Sequence, residues 1–164
     1  MRVLVTVASR HGSTGEIGDA VAEVLEERGH EVARTLPAAV ESLEGVDAVV
    51  LGSAIYMSQW LEAARDLVAR LGSELRALPV WMFSSGPVGG EERPAPATTR
   101  IHSLLEEIEP LDYQVFSGAV DRSVLNLRER SIVRMVGAPE GDYRDWEAIR
   151  SWARAIADTL DAVA

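Results

Sequence analysis

The sequence predicts a doubly wound α/β fold, with a five-stranded parallel sheet in the order 2-1-3-4-5 and helices on both faces. Three observations carry that expectation. Apolar runs of strand length alternate with stretches of helical periodicity along the chain. The clearest runs, Arg2 to Val7 and Asp47 to Gly52, are almost wholly apolar and β-branched, as in strands buried between two helical layers. Finally, 164 residues with 47% hydrophobic content suffice for one domain, 1–164, with a substantial core. Right-handed crossovers leave few other topologies for such an alternation.

The elements follow in order. After the first strand, Ile17, Val21, Val24 and Leu25 recur at helical spacing, with Gly29 as a C-terminal stop. His30 to Leu36 reads as a second strand, ended by Pro37. The third strand, Asp47 to Gly52, precedes a helical face of Leu61, Ala64, Leu67, Val68 and Leu71, which Gly72 should end. Pro79 to Ser84 is a fourth strand that opens with proline at a tolerated first position. Ile101, Leu104, Leu105 and Ile108 form the next helix, stopped by Pro110, and Asp112 to Val120 is a fifth strand. The last helix places Ile149, Trp152, Ile156, Leu160 and Val163 on one face, with Asp145 as N-cap.

Composition excludes several classes of function. The chain has no cysteine, which removes disulfides, thiolate metal sites and cysteine nucleophiles and suits a reducing cytoplasm. His11, His30 and His102 lack paired metal-ligand spacing. A net charge of −10 argues against nucleic acid. It fits either plain solubility or docking to a basic partner. The apolar start is too short for a secretion signal and is interrupted by Thr6, and no run reaches the length of a membrane span. The expected location is cytoplasmic.

In a sheet of this kind ligands bind beyond the carboxyl ends of the strands, near the switch point between strands 1 and 3. The loop after strand 1, Ala8 to Gly15, offers hydroxyls from Ser9, Ser13 and Thr14 and a flexible Gly12, and it opens directly into a helix. Free N–H groups at a helix start favour an anion, so this loop reads as a phosphate cradle. It has neither the Gly-Lys-Ser/Thr of a P-loop nor a G-x-G-x-x-G spacing. The loop after strand 3, Gly52 to Trp60, has small residues that leave room for a flat ligand. Tyr56 is a candidate to stack on it, while Trp60 belongs either to the ligand or to the core. After strand 4, the stretch from Ser84 through Gly86 to Thr99 is either a lid or a plain excursion.

These residues carry a resemblance. ASRHGSTGEI (Ala8 to Ile17) and VVLGSAIY (Val49 to Tyr56) resemble the phosphate loop and first ring-contacting loop of the flavodoxin family. With Glu91 to Thr99 and Asp145-Trp146-Glu147, nearly the whole chain is similar to the group that includes menaquinone-dependent protoporphyrinogen IX dehydrogenase. The resemblance implies a flavodoxin-like fold with FMN as cofactor; a deazaflavin stays an open alternative. It places the FMN phosphate on Ser9, His11, Gly12, Ser13 and Thr14. The ring then lies near Ser53, Ala54, Ile55 and Tyr56 on one side and near Ser84, Ser85 and Gly86 on the other. The family binds this phosphate without a cationic side chain, which implies that Arg10 points outward.

Two departures from the family pattern matter. No aromatic residue lies between Ser84 and Thr99, where electron-carrying flavodoxins present one, so one ring face should be open to a substrate or quinone. The stretch from Arg122 to Val136 is shorter than in the quinone-dependent enzymes and has no aromatic residue; four arginines and one glutamate give it a charge of +3. It is either a surface helix that reaches lipid or an acidic partner, or a connecting helix packed through Leu125, Ile132, Val133 and Val136. The resulting expectation is an FMN oxidoreductase acting on a bound organic substrate, a porphyrinogen or a quinone, with no catalytic side chain assigned. The alternative is a non-enzymatic electron carrier that docks to redox partner proteins. A hydrolase built on Ser13, His11 and Asp121 has little support, because no G-x-S-x-G elbow occurs.

Overall fold

A computed structural model describes residues 1–86, 99–136 and 140–164. β1 (Arg2–Ala8) leads through a short loop into α1 (Ser13–Glu27), then β2 (Glu31–Arg34) and a single 3₁₀ turn at Pro37–Ala39. β3 (Ala48–Tyr56) turns back as a two-residue strand, β4 (Gln59–Trp60), before α2 (Glu62–Arg76). β5 (Val80–Gly86), α3 (Thr99–Ile108) and β6 (Asp112–Ser117) complete the parallel sheet. A small ribbon of β7 (Ala119–Val120) and β8 (Gly141–Asp142) brackets α4 (Leu127–Val136), and α5 (Trp146–Val163) closes the chain.

The sheet runs β2-β1-β3-β5-β6, with every neighbouring pair parallel. Leaving out the antiparallel hairpin strand β4, this is the order 2-1-3-4-5 expected from the alternation of elements. Side chains alternate across the pleat. Val3, Val5 and Val7 of β1 join Val50, Trp81 and Phe83 under α1 and α5, while Leu4, Val49, Leu51 and Met82 lie under α2 and α3. Two cores therefore clamp the sheet, and its central strands read as unbroken apolar runs for that reason.

On the α1/α5 face, Phe83, Phe116 and Trp152 form a ring cluster with centroids 5.6–6.0 Å apart, and the Trp152 indole donates to Asp112 at 2.7 Å. Gly52 sits beside Phe83 in register, and a Cβ there would come within 2.3 Å of the ring.

Helix ends set by local chemistry fall where expected. Gly29 follows α1 at φ +87°, and the Asp145 carboxylate caps α5 by accepting from the Ala148 N–H at 3.0 Å. At Gly72 the helix is interrupted rather than ended: Leu71, just before it, is non-helical (φ −120°, ψ 17°), and a second helical stretch continues to Arg76. Val163, expected on the buried face of α5, is mostly exposed as the last residue of the helix, beyond its last buried residue, Leu160. The fifth strand breaks at Gly118, whose N–H turns to bond the Gly86 carbonyl at 2.7 Å.

One core position is poorly used. Thr6 is fully buried in β1, between Leu4 and Ala8 of the α2/α3 side, and its hydroxyl has no hydrogen-bond partner among the described residues. An unpaired buried hydroxyl is costly, and valine has nearly the same shape. Thr6→Val is therefore expected to stabilise the protein by about 1 kcal/mol. Urea unfolding checks this, and a midpoint that falls would show that Thr6 has a bonding partner.

Candidate functional site

A cleft open to solvent on one side lies over the carboxyl ends of β1, β3 and β5. One end is polar and is formed by the loop from β1 into α1. Gly12 occupies the cap position of α1 at φ +91°, a conformation that favours glycine, and a Cβ there would meet nothing within 4 Å. Since this cap has no side chain, it supplies no side-chain oxygen to the N–H groups of the first helical turn. Ser9 braces the loop by accepting from the Gly12 N–H at 3.1 Å. Ser9, His11, Ser13 and Thr14 all line this end.

The middle of the cleft is flatter and apolar. β3 continues through the stretch read from sequence as a loop, so Ala54, Ile55 and Tyr56 project from a strand rather than from an irregular segment. The strand reverses at Met57 and Ser58, both with φ near +60° (+52° and +63°). Such two-residue hairpin turns normally use Asn and Gly, and each non-glycine residue held there costs on the order of 1 kcal/mol or more. Ser85 and Gly86, at the end of the neighbouring strand β5, line the cleft beside them, with Ser85 in register with Ala54.

Three nominated residues do not line the cleft. Gly12 shapes the loop from behind. The Ser53 hydroxyl is used internally, accepting from the Leu61 N–H at 3.0 Å and donating to the Ala54 carbonyl at 2.8 Å. Ser84 accepts from the Trp60 indole at 2.7 Å and pairs with the Tyr113 hydroxyl at 2.7 Å. Burial pushes the Tyr113 phenol above its ordinary value, with the Ser84 bond acting against that rise. Trp60 is buried and belongs to the core.

Several wall residues were not anticipated. Gly118 to Asp121, Val124 and Leu125 close the far side, and Glu129 of α4 reaches into the polar end. Arg10 does not point outward: its guanidinium lies 4.5 Å from the Tyr56 ring centroid and forms an ion pair with Glu129. His11 Nε2 is 3.0 Å from the other Glu129 oxygen. That contact also separates the parts of the hydrolase reading, since the Asp121 carboxylate is held by Ser123 and lowered by those bonds. Next to this end, Arg144 makes a two-pronged bond to Asp142, reaches the Ser13 carbonyl and Glu16, and lies 4.6 Å from the Trp146 ring centroid. These bonds raise its pKa and tie the β7–β8 ribbon to the start of α1.

Leu125 is half-buried in the wall, and Arg128, Arg130 and Arg134 are exposed, as are Leu127 and Met135. The side chains of Ile132, Val133 and Val136, like residues 87–98 after β5, lie outside the described residues. Among the described residues, no group of side chains is arranged to hold a metal ion, and no helix is long and apolar enough to cross a membrane.

A parallel sheet in this order, with a cleft over the carboxyl ends of its strands at the switch point, defines a doubly wound α/β domain. More narrowly, the chain belongs to the flavodoxin domain family, whose model matches residues 4–147. No match was found among curated proteins. The chain is similar to a flavodoxin from the domain Archaea at 16% identity and a TM-score of 0.65, covering 98% of this chain and 99% of that one. It is likewise similar to the Streptococcus pneumonia TIGR4 flavodoxin at 16% identity and a TM-score of 0.65, over 100% of both chains. Rubredoxin oxygen:oxidoreductase from Desulfovibrio gigas aligns at 17% identity and a TM-score of 0.65 over 98% of this chain, which spans 36% of that longer protein. At these identities the likeness is one of fold.

Proposed function

We propose that the chain is an FMN-binding oxidoreductase whose flavin ring opens on an apolar wall to an organic electron acceptor of the quinone type. The observation that carries this reading is the continuity of the cleft, from the start of α1 at its polar end to the aliphatic and aromatic side chains at the other. Ser9, His11, Ser13 and Thr14, with the backbone at Gly12, suit a terminal phosphate. Ala54, Ile55 and Tyr56 on one strand end and Ser85 and Gly86 on the next suit the two sides of a planar ring. Ser53 and Ser84 support those walls from inside.

Bound FMN supplies the capacity to take two electrons from one partner and pass them to another. The chain's own side chains bind, orient and exclude water, and none of them has to act as a strong acid or base. The outer wall favours an organic partner. Ala119, Val120, Val124 and Leu125 are aliphatic, and Tyr56 is the one aromatic side chain lining the cleft among the described residues. A porphyrinogen donor is the narrower form of this reading and rests on the sequence resemblance alone.

A non-enzymatic electron carrier is the second reading. It is favoured by the net charge of −10, since complementary charge speeds encounter with a basic redox partner. Stepwise reduction of the FMN-loaded protein without oxygen, followed by quinone addition, separates the two. Direct two-electron reduction and reoxidation by quinone is the expected result. Accumulation of one-electron-reduced flavin, with a salt-sensitive reaction toward a flavodoxin reductase, would favour the carrier. Failure to bind any flavin would overturn both.

A further inference from the structure

The polar end of the cleft already contains an anion. The Glu129 side chain is 5% exposed, and it engages two side chains of the loop: Arg10 through one carboxylate oxygen and His11, at 3.0 Å, through the other. Arg10 meanwhile covers one face of the Tyr56 ring, so a flat ligand cannot stack on that face while the guanidinium stays. Glu129 also starts α4 through reciprocal bonds with Asn126, its N–H donating to Asn126 Oδ1 at 2.9 Å and its carboxylate accepting from the Asn126 N–H at 3.0 Å. Burial pushes the carboxyl up, but the Asn126 N–H and the charges of His11 and Arg10 outweigh that and hold it below the ordinary glutamate value. At neutral pH it is an ion.

We propose that Glu129 is the specificity-determining residue of this site, an internal anion that competes with the cofactor phosphate for Arg10 and His11 and gives them up when the phosphate binds. The inference rests on the flavin reading above. A carboxylate left on the same cations would repel the incoming phosphate, so occupancy favours exchange of one anion for the other. Arg10 then leaves Glu129 and Tyr56 together. One movement uncovers the ring face and unties the start of α4 from the phosphate loop, while the Asn126–Glu129 cap keeps the helix itself intact. The site thereby distinguishes a phosphorylated flavin, which can displace Glu129, from the same ring without a phosphate.

Glu129→Gln tests this, because glutamine at that position keeps the reciprocal cap and removes only the charge. Titration by flavin fluorescence should show FMN binding tightened by about tenfold, with riboflavin changed by less than about twofold. In the wild-type protein, FMN but not riboflavin should speed amide hydrogen exchange at the start of α4, and the variant should lose that response. A ratio of FMN to riboflavin affinity that stays the same in the variant, or falls, would overturn the proposal. If the wild-type protein binds neither flavin, the flavin reading fails and this one falls with it. If it binds FMN and the variant keeps the wild-type ratio, only the role of Glu129 fails.

Discussion

Ser13→Asp is expected to weaken FMN binding by about a hundredfold or more while leaving the protein folded. Ser13 is the first residue of α1 and lines the polar end of the cleft. An aspartate there suits a helix start, because its charge is favourable against the unpaired N–H groups and the helix dipole. Thermal stability should therefore be unchanged or slightly raised. The ligand meets the opposite effect, since a fixed negative charge would sit where a doubly charged phosphate has to enter. Riboflavin has the ring and no phosphate, so its weaker binding should barely change. Parallel titrations with the two flavins separate a lost anion site from a damaged cleft. If Ser13→Asp binds FMN as well as the wild type, the phosphate does not lie at the start of α1.

What the sequence made legible was what local chemistry decides. β1 and β3 are apolar on both faces because both faces are covered, and Asp145 caps α5 with its own side chain. Where the structure departs from these expectations, the partner is most often another part of the chain. Gly72 has the look of a helix stop, and the chain does break beside it at Leu71, but it then resumes as helix to Arg76. Ser53 and Ser84 have the hydroxyls of a ligand loop, yet the Leu61 N–H and the Trp60 indole use them first. β3 runs on to Tyr56 because a hairpin pairs it with Gln59 and Trp60, and its Met57-Ser58 turn lacks the glycine or asparagine that would have announced it. Glu129 reads as one charge among arginines. The Asn126-x-x-Glu129 spacing could have marked the start of α4, but nothing local foretells its pairing with Arg10 and His11. The wall from Gly118 to Leu125 was within reach, because the carboxyl-end rule applies to the fifth strand as much as to the first.

Gly52→Ala should be among the most damaging single changes in the core, costing about 3 kcal/mol for one added methyl group. The new Cβ would come within 2.3 Å of two carbons of the Phe83 ring. That ring has little freedom to withdraw, since Phe116 and Trp152 stand 6.0 and 5.9 Å away and Trp152 is itself tied to Asp112. Interiors packed this closely answer overpacking with strained side chains or displaced backbone. Here the displaced strand would be β3, whose end forms the cleft wall, so flavin binding should weaken together with stability. The same substitution at Gly15 supplies the control: its Cβ would meet only Ser9, at 3.7 Å and beyond, and alanine is the better helix former. Urea unfolding of both variants measures the contrast. Adding Phe83→Leu to Gly52→Ala then identifies the cause. If the ring is the obstacle, the double variant loses less stability than the two single losses added together. Strict additivity would place the damage in the backbone of β3 instead.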